Sequence, residues 1–288
     1  MEILITVSEM QAWSDNIHQK GNQICLVPTM GYFHEGHLSL MEKGKKICSD
    51  LVVSLFVNPT QFSENEDLDS YPANIERDVK LAEKKGVSVI FMPDKKEIYP
   101  DRFQTYVELT ELPAHLCGLS RPVHFRGVAT VVTKLFNIVK PDVAVFGSKD
   151  FQQLQIIRRM VKDLNYNIKI VECPIVREDD GLAMSSRNAY LSPEQRLSAL
   201  CLSKSLEKAE AMIEKGEIRT STVKKELENY IKSFPFTKID YISICDPDTL
   251  DEIGDINSAD TASPLLIAMA VYVGKTRLID NRIINPGQ

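Results

Sequence analysis

No Cys-x-x-Cys pair occurs among the six cysteines, which stand apart at positions 25, 48, 117, 173, 201 and 245. That scatter offers neither a zinc knuckle nor a dithiol motif and fits reduced thiols in a cytosol. No stretch approaches a membrane span, which takes about 18 uninterrupted apolar residues. Met1-Glu2-Ile3-Leu4 also lacks the basic start and apolar core of a secretory signal, so a cytoplasmic protein is expected. Excess positive charge is missing too: 34 Lys+Arg against 40 Asp+Glu leave a net charge of −6. That balance argues against a general nucleic-acid or membrane-surface binder, while leaving room for a local cationic pocket. Neither an internal repeat nor a low-complexity tract is visible. What remains is ordinary globular usage over 288 residues, enough for one large or two ordinary domains.

Apolar runs at 23–28, 51–57, 88–92, 142–147 and 168–172 alternate with helix-like stretches near 37–48, 72–85, 127–139 and 149–164. Continuous rather than alternating apolar strands, separated by helices, predict a parallel sheet covered on both faces. Ligands of such sheets lie at the carboxyl ends of the strands. After about residue 175 the pattern changes to charged helices near 193–215 and 218–233, a strand at 239–245 and a strand pair at 265–273 and 276–281. This predicts a smaller α+β unit, joined near Cys173-Pro174-Ile175-Val176 where proline ends a strand-like run. The expected domains are residues 1–175 and 176–288.

Residues Pro28 to Leu38, Pro-Thr-Met-Gly-Tyr-Phe-His-Glu-Gly-His-Leu, carry the strongest chemical signal. A strand leads in, Gly31 and Gly36 permit a tight turn, and a helix start carries His34 and His37. Unpaired N–H groups and the positive dipole end make such a helix start a phosphate site. The two imidazoles can bond to a phosphorus centre as it gains charge. His-Glu-Gly-His is not the zinc-protease helix motif, whose histidines are four apart, and no Cys or third His lies close by in sequence to complete a metal set.

Four further constellations follow predicted strands or loops. In Phe56-Val57-Asn58-Pro59-Thr60-Gln61-Phe62, Asn58 and Gln61 offer amides that both donate and accept, as a polyol or hydroxy acid requires; an Asn-Pro turn alone would explain Asn58 but not Gln61. Ser120-Arg121-Pro122 and His124-Phe125-Arg126-Gly127-Val128 put two arginines near a helix start, fit for a phosphate or for an ordinary solvated loop. Gly147-Ser148-Lys149-Asp150-Phe151-Gln152-Gln153 is a second strand-to-helix turn. There Lys149 opposes the helix dipole and calls for a compensating anion, Asp150 and Gln153 share a face, and Ser148 or Asp150 could simply be an N-cap. Arg177 to Asn188 contains Met184-Ser185-Ser186-Arg187, two hydroxyls and a guanidinium on a flexible, glycine-preceded loop that could close over a triphosphate. Gly274-Lys275-Thr276 imitates the end of a P-loop, but position 269 is Met where glycine is needed, and a hairpin turn is expected.

In order and combination these pieces closely resemble the pantothenate synthetase (pantoate–β-alanine ligase) family over nearly the whole chain. His-x-Gly-His alone is shared with many nucleotidyltransferases and class I aminoacyl-tRNA synthetases; Phe-Val-Asn-Pro-x-Gln-Phe and Met-Ser-Ser-Arg-Asn are much more specific. The resemblance implies a Rossmann-like domain of the HxGH nucleotidyltransferase type that binds ATP and pantoate, a smaller α+β C-terminal lid domain, a homodimer and Mg²⁺. It implies that ATP, pantoate and β-alanine yield pantothenate, AMP and diphosphate through a pantoyl adenylate. It assigns catalysis to His37, His34 and Lys149. ATP would be bound by Met30, Gly31, Tyr32, Phe33, His34, Glu35, Gly36, His37, Gly147, Ser148, Lys149, Asp150, Val176, Met184, Ser185, Ser186 and Arg187. Pantoate and β-alanine would meet Gln61, Gln153, Asn58 and Arg126, with Asp150 as the candidate metal ligand. Ser148 departs from the Glu the family often has there, which puts that position's local contacts in question. The rival readings are a nucleotidyltransferase of the HxGH class acting on a phosphate-ester acceptor, and a non-catalytic nucleotide sensor. A class I tRNA synthetase is disfavoured by the acidic charge and by the lack of a recognisable anticodon domain.

Overall fold

The fold of the chain is a computed structural model, described for residues 1–63, 68, 70–216, 219–255 and 263–285. Two compact units emerge. The first comprises Met1–Thr110, Arg121–Ser148 and Gln153–Val176; the second comprises Glu111–Ser120, Lys149–Gln152 and Arg177–Gln288. The main division falls after Val176, and two short segments group with the second unit.

The first unit holds a six-stranded sheet of β1 (Glu2–Leu4), β2 (Ile24–Thr29), β3 (Asp50–Leu55), β4 (Val89–Phe91), β5 (Val143–Gly147) and β6 (Lys169–Cys173). All pairings are parallel and the order is β1-β4-β3-β2-β5-β6. Helices α1 (Val7–Gln19), α2 (Glu35–Ile47), α3 (Ile75–Lys84), α4 (Lys95–Ile98), α6 (His124–Val139) and α7 (Phe151–Asp163) connect or follow these strands, whereas α5 (Cys117–Ser120) groups with the second unit. Alternate strand residues feed opposite cores. Ile24, Leu26, Val52, Val89, Phe91, Ala144 and Phe146 pack with residues of α1, α6 and α7, while Cys25, Val27, Leu51, Val53, Ile90, Val143 and Val145 pack with residues of α2 and α3. Burial on both faces is why these strands read as unbroken apolar runs.

The second unit holds α8 (Pro193–Ala199), α9 (Cys201–Glu214), α10 (Thr220–Lys232) and an antiparallel sheet ordered β7 (Thr237–Cys245), β8 (Leu265–Val273), β9 (Thr276–Ile284). Residues from α9 and α10, including Leu206, Val223 and Leu227, share a core with Ile267, Met269 and Val271 of β8. Gly274-Lys275 forms the β8–β9 hairpin turn, with Val273 opposite Thr276 and Gly274 at φ 61°, as expected.

Three local features differ from the sequence expectation. The segment 1–22, for which no element is predicted, forms β1 and α1. The helix predicted across 193–215 is divided at Leu200, whose ψ of −16° opens the helical ladder between α8 and α9. The helix expected over 149–164 begins as a 3₁₀ turn, Ser148–Asp150, before α7. The predicted start of α10 at 218 lies outside the described residues. All six cysteines are free thiols. Among the described residues no helix is long and apolar enough to cross a membrane.

Candidate functional site

Strand order reverses between β2 and β5: successive strands β2, β3 and β4 run one way across the sheet, β5 and β6 the other. A crevice outside the carboxyl ends of strands at such a reversal is where open α/β sheets bind ligands. β2 ends at Thr29 and β5 at Gly147, so both strand-to-helix turns singled out in the sequence start there.

After β2 the chain turns through Gly31 at φ 89° and Tyr32 at φ 53°. Two successive residues in the left-handed region let the turn fold back sharply before α2 begins. Tyr32 is not a glycine, so its conformation must be held from outside. Asp78 of α3 does this: Tyr32 N–H donates to Oδ2 at 2.6 Å and Phe33 N–H to Oδ1 at 2.8 Å. Asp78 is only 1% exposed, and burial pushes its carboxyl above the ordinary range despite the two amides pulling the other way. Phe33 is fully buried and anchors the turn in the α2 side of the core.

His34 is the N-cap of α2. Its backbone N–H donates to Nδ1 of His37 at 3.3 Å, and the two rings lie 4.1 Å apart between centroids. Acceptance at Nδ1 places the proton of a neutral His37 on Nε2. Glu35 on the same first turn is exposed, while Met30, Gly36 and both histidines are half-buried.

A second cluster in the same unit centres on Asn58, which is 1% exposed. Its Nδ2 donates to Oε1 of Gln61 and to the carbonyl of Gly127, both at 3.1 Å. Its Oδ1 accepts from Thr60 Oγ1 at 2.9 Å and from the Tyr99 hydroxyl at 2.8 Å. Burial raises the Tyr99 pKa to about 12, so the phenol stays a donor. The amide of Gln61 is thereby fixed, and its Nε2 donates to Met30 Sδ at 3.1 Å. From the other side the ring of His124 donates through Nδ1 to the carbonyl of Gln61 at 2.9 Å, and Arg121 reaches the same oxygen at 3.3 Å. Arg126 instead stands exposed, its guanidinium 5.0 Å above the ring of Tyr106.

Ser148 ends the first unit's share of the second turn. Its hydroxyl donates to the carbonyl of Cys173 at 3.0 Å, tying the end of β5 to the end of β6. Gly147 and Val176 are half-buried, as is Gln153 on the first turn of α7.

In the second unit, the carbonyl of half-buried Lys149 accepts from Asn281 Nδ2 at 2.9 Å. Neighbouring Asp280, 2% exposed, takes both arms of Arg177 at 2.7 and 3.0 Å and the backbone N–H of Asn281 at 2.8 Å. Arg177 opens the Met-Ser-Ser-Arg segment, and this segment is braced rather than slack. Arg177 pairs with Ala183 across a turn at Gly181, Asn188 donates to Glu178 and to the carbonyl of Ala183, and Arg196 holds Glu178 and Asp180. Ser185 caps the 3₁₀ turn Ser186–Tyr190 through the N–H of Arg187; Ser186 is buried, and Met184, Ser185 and Arg187 are half-buried. The expectation of a flexible loop is thus corrected: several charge-assisted bonds fix the segment within its own unit.

Asp150 is exposed, and among the described residues no group of three or more His, Cys, Asp or Glu is placed to hold a metal ion. Any metal here would draw most of its ligands from elsewhere. Asp78, Tyr99, Asp280 and Asn281 have no place in the sequence motifs; only their contacts reveal them.

Comparison with known proteins converges. The family model for pantoate-beta-alanine ligase matches residues 2–283. The pantothenate synthetase of Desulforapulum autotrophicum is 60% identical over 288 residues, covering 100% of both chains, and that of Desulfatibacillum aliphaticivorans is 55% identical over 286 residues. A crystal structure of pantothenate synthetase from Thermus thermophilus superposes with a TM-score of 0.90 at 39% identity, covering 98% of this chain and 99% of that one. The pantoate-beta-alanine ligase of Francisella tularensis, complexed with beta-gamma ATP and beta-alanine, gives a TM-score of 0.80 at 33% identity over 98% and 97% of the two chains. With its parallel sheet, its histidine turn and these relatives, the chain belongs to the pantoate–β-alanine ligase family.

Proposed function

We propose that the chain uses ATP to condense (R)-pantoate with β-alanine, giving pantothenate, AMP and diphosphate through a pantoyl adenylate. The observation that carries this reading is the contact of Gln61 with Met30, which sets a rigid amide beside the histidine turn at the sheet's order reversal. A hydroxy acid held by that amide would lie next to a nucleotide held by the turn.

In the first step a pantoate carboxylate oxygen attacks the α-phosphorus of ATP; the bond to the bridging oxygen breaks and diphosphate leaves. Such a displacement depends on positioning and on stabilising charge more than on a protein nucleophile. His37, with Nδ1 engaged, would donate from Nε2 to a phosphate oxygen as charge builds, and His34 would assist. Gln61 and Gln153 would hold pantoate's hydroxyls and carboxylate. Asn58 spends its amide inside the protein, so its part would be to hold Gln61. Met30 to Phe33, Glu35, Gly36, Gly147, Ser148 and Val176 would border the nucleotide. Lys149, Ser185, Ser186 and Arg187 would meet the triphosphate and the departing diphosphate, with Met184 beside them. Arg126 keeps only a peripheral role toward substrate. In the second step the amine of β-alanine attacks the acyl carbon, the bond to AMP breaks, and the amine loses a proton. The mixed anhydride needs no covalent enzyme intermediate, but it must be kept from water. Mg²⁺, a hard cation, would bind chiefly phosphate oxygens and water, with the Asp150 carboxylate as the chain's own oxygen donor.

AMP release measured with ATP, pantoate and β-alanine, omitting each in turn, tests the proposal. Pantoate-dependent exchange of pyrophosphate into ATP is expected without β-alanine. Dependence on a phosphorylated acceptor would instead support a nucleotidyltransferase, and nucleotide binding without AMP formation a sensor. We further propose a cytoplasmic homodimer. The six free thiols support the compartment, and sedimentation equilibrium showing a monomer at micromolar concentration would refute the assembly.

A further inference from the structure

Asp78 belongs to none of the motifs above, yet it is the group on which the histidine turn rests. It lies on α3, separated from the turn by 46 residues of sequence, and with Asp280 is one of two buried charged side chains among the described residues. Both carboxylate oxygens are engaged, one with the N–H of Tyr32 and the other with that of Phe33. Those two amides directly precede His34, the N-cap of α2. A carboxylate gripping consecutive amides fixes the orientation of both peptide planes, and with them the direction in which α2 starts. The grip is close on its other side too: a Cβ on Gly31 would come within 3.3 Å of Oδ2, at a φ of 89° where a side chain is strained anyway. Arg77, next to Asp78 on the helix, stacks 5.5 Å over the ring of Tyr32, so one turn of α3 holds both the backbone and the side chain of that residue.

We propose that Asp78 is a positioning residue for the proposed ligase reaction: by clamping the Tyr32 and Phe33 amides it sets the left-handed turn that aims His34 and His37. The inference rests on the reaction proposed above, but its structural half can be tested without substrate. The geometry assigns Asp78 no contact with substrate. It acts through the histidines, whose aim tolerates little error, since a displacement of about 1 Å in a reacting group can cost on the order of 100-fold in rate.

Asp78→Asn keeps the size but presents an NH₂ to one of the two amide donors. In the full-length protein, pantoate-dependent pyrophosphate exchange should fall about 10- to 100-fold in rate constant, with the KM for β-alanine in the full reaction shifting less than the rate. Nitrogen-15 NMR of the substrate-free protein should show the wild-type His37 ring as the Nε2–H tautomer, and the variant should shift the His34 and His37 signals while leaving that of His18 in place. Placing Asp78→Asn in a Tyr32→Gly background should shrink the loss, because glycine takes a positive φ unaided. If Asp78→Asn does not fold, Gly31→Ala, whose Cβ crowds Oδ2, gives the same readout. Unmoved His34 and His37 signals, or a folded variant with wild-type exchange, would overturn the role of Asp78. Shifted signals in the variant, with no exchange by the wild-type protein, would overturn the reaction instead, leaving the clamp standing.

Discussion

A single methyl group added at Gly127 tests how tightly the hydroxy-acid platform is built. Gly127 sits in the first turns of α6, and a Cβ there would lie 2.4 Å from the carbonyl oxygen of Thr60, 2.5 Å from its carbon and 2.6 Å from the backbone nitrogen of Gln61. All three are main-chain atoms, so no rotamer change can relieve the clash. Reaching an ordinary 3.4 Å contact requires α6 and the Thr60–Gln61 turn to part by about 1 Å, the difference 3.4 − 2.4. Overpacking of this kind costs about 1–3 kcal/mol. Stretching the bond from Asn58 to the Gly127 carbonyl adds about 1 kcal/mol, and the better helix propensity of alanine returns roughly the same amount. Gly127→Ala should therefore be destabilised by about 1–3 kcal/mol, a Tm loss of roughly 2–4 °C per kcal/mol by calorimetry. Because the turn that yields carries Gln61, the KM for pantoate should rise while the KM for ATP changes little. An unchanged Tm together with an unchanged pantoate KM would refute both the close approach and the assignment of Gln61.

His37→Ala should lose about 10²–10³ in kcat while keeping its circular dichroism and Tm, the usual penalty for removing one transition-state donor; wild-type turnover in the folded variant would end that assignment. Arg177→Ala strands Asp280, which is 2% exposed, without its bidentate partner. Breaking a buried pair on one side costs about 3–5 kcal/mol, so chemical denaturation should show a loss on that scale, and a change below about 1 kcal/mol would contradict the pairing. Asp78 predicts opposed trends in mild acid. Its folded pKa is raised by burial, so the folded protein binds this proton more readily than the unfolded chain, and its ionisation costs stability as pH rises from the unfolded toward the folded value. Falling pH should thus remove that cost yet deprive one amide of its acceptor. Relative to Asp78→Asn, wild-type activity should drop on acidification while its Tm gains; parallel loss of both would contradict the assignment.

Much of the sheet is legible because its strands are buried on both faces, and β2 through β6 each match an apolar run to within about two residues. Helix α1 is less visible, although Thr6 and Glu9 form a reciprocal capping box that a search for Thr-x-x-Glu would find. The break at Leu200 has no glycine or proline to announce it, and helical periodicity runs across it undisturbed. The Arg177–Asn188 segment misleads for a different reason. Its glycine and serines suggest slack, but what fixes it is Asp280, 103 residues away along the chain, and Arg196 on α8. Local composition carries no trace of a partner that distant.

The same asymmetry separates the groups expected to touch substrate from those that hold them. His34, His37, Lys149 and Arg187 fall in short motifs because each turn must bring backbone and side chain to one point, which demands neighbours in sequence. Their supports obey no such demand. Asp78 lies in Ile-Glu-Arg-Asp-Val-Lys, where it looks like one more charge on a solvated helix, and only its 1% exposure shows otherwise. Asn281 lies in a polar run, Asp280-Asn281-Arg282, within β9, yet its amide holds the carbonyl of Lys149. That bond also explains a feature no motif could reveal. Ser148 and Lys149 are adjacent in one strand-to-helix turn, but Ser148 is tied to Cys173 in the first unit and Lys149 to Asn281 in the second. Loosening the Asn281 tie should therefore move the lysine without altering a single residue of the motif that contains it.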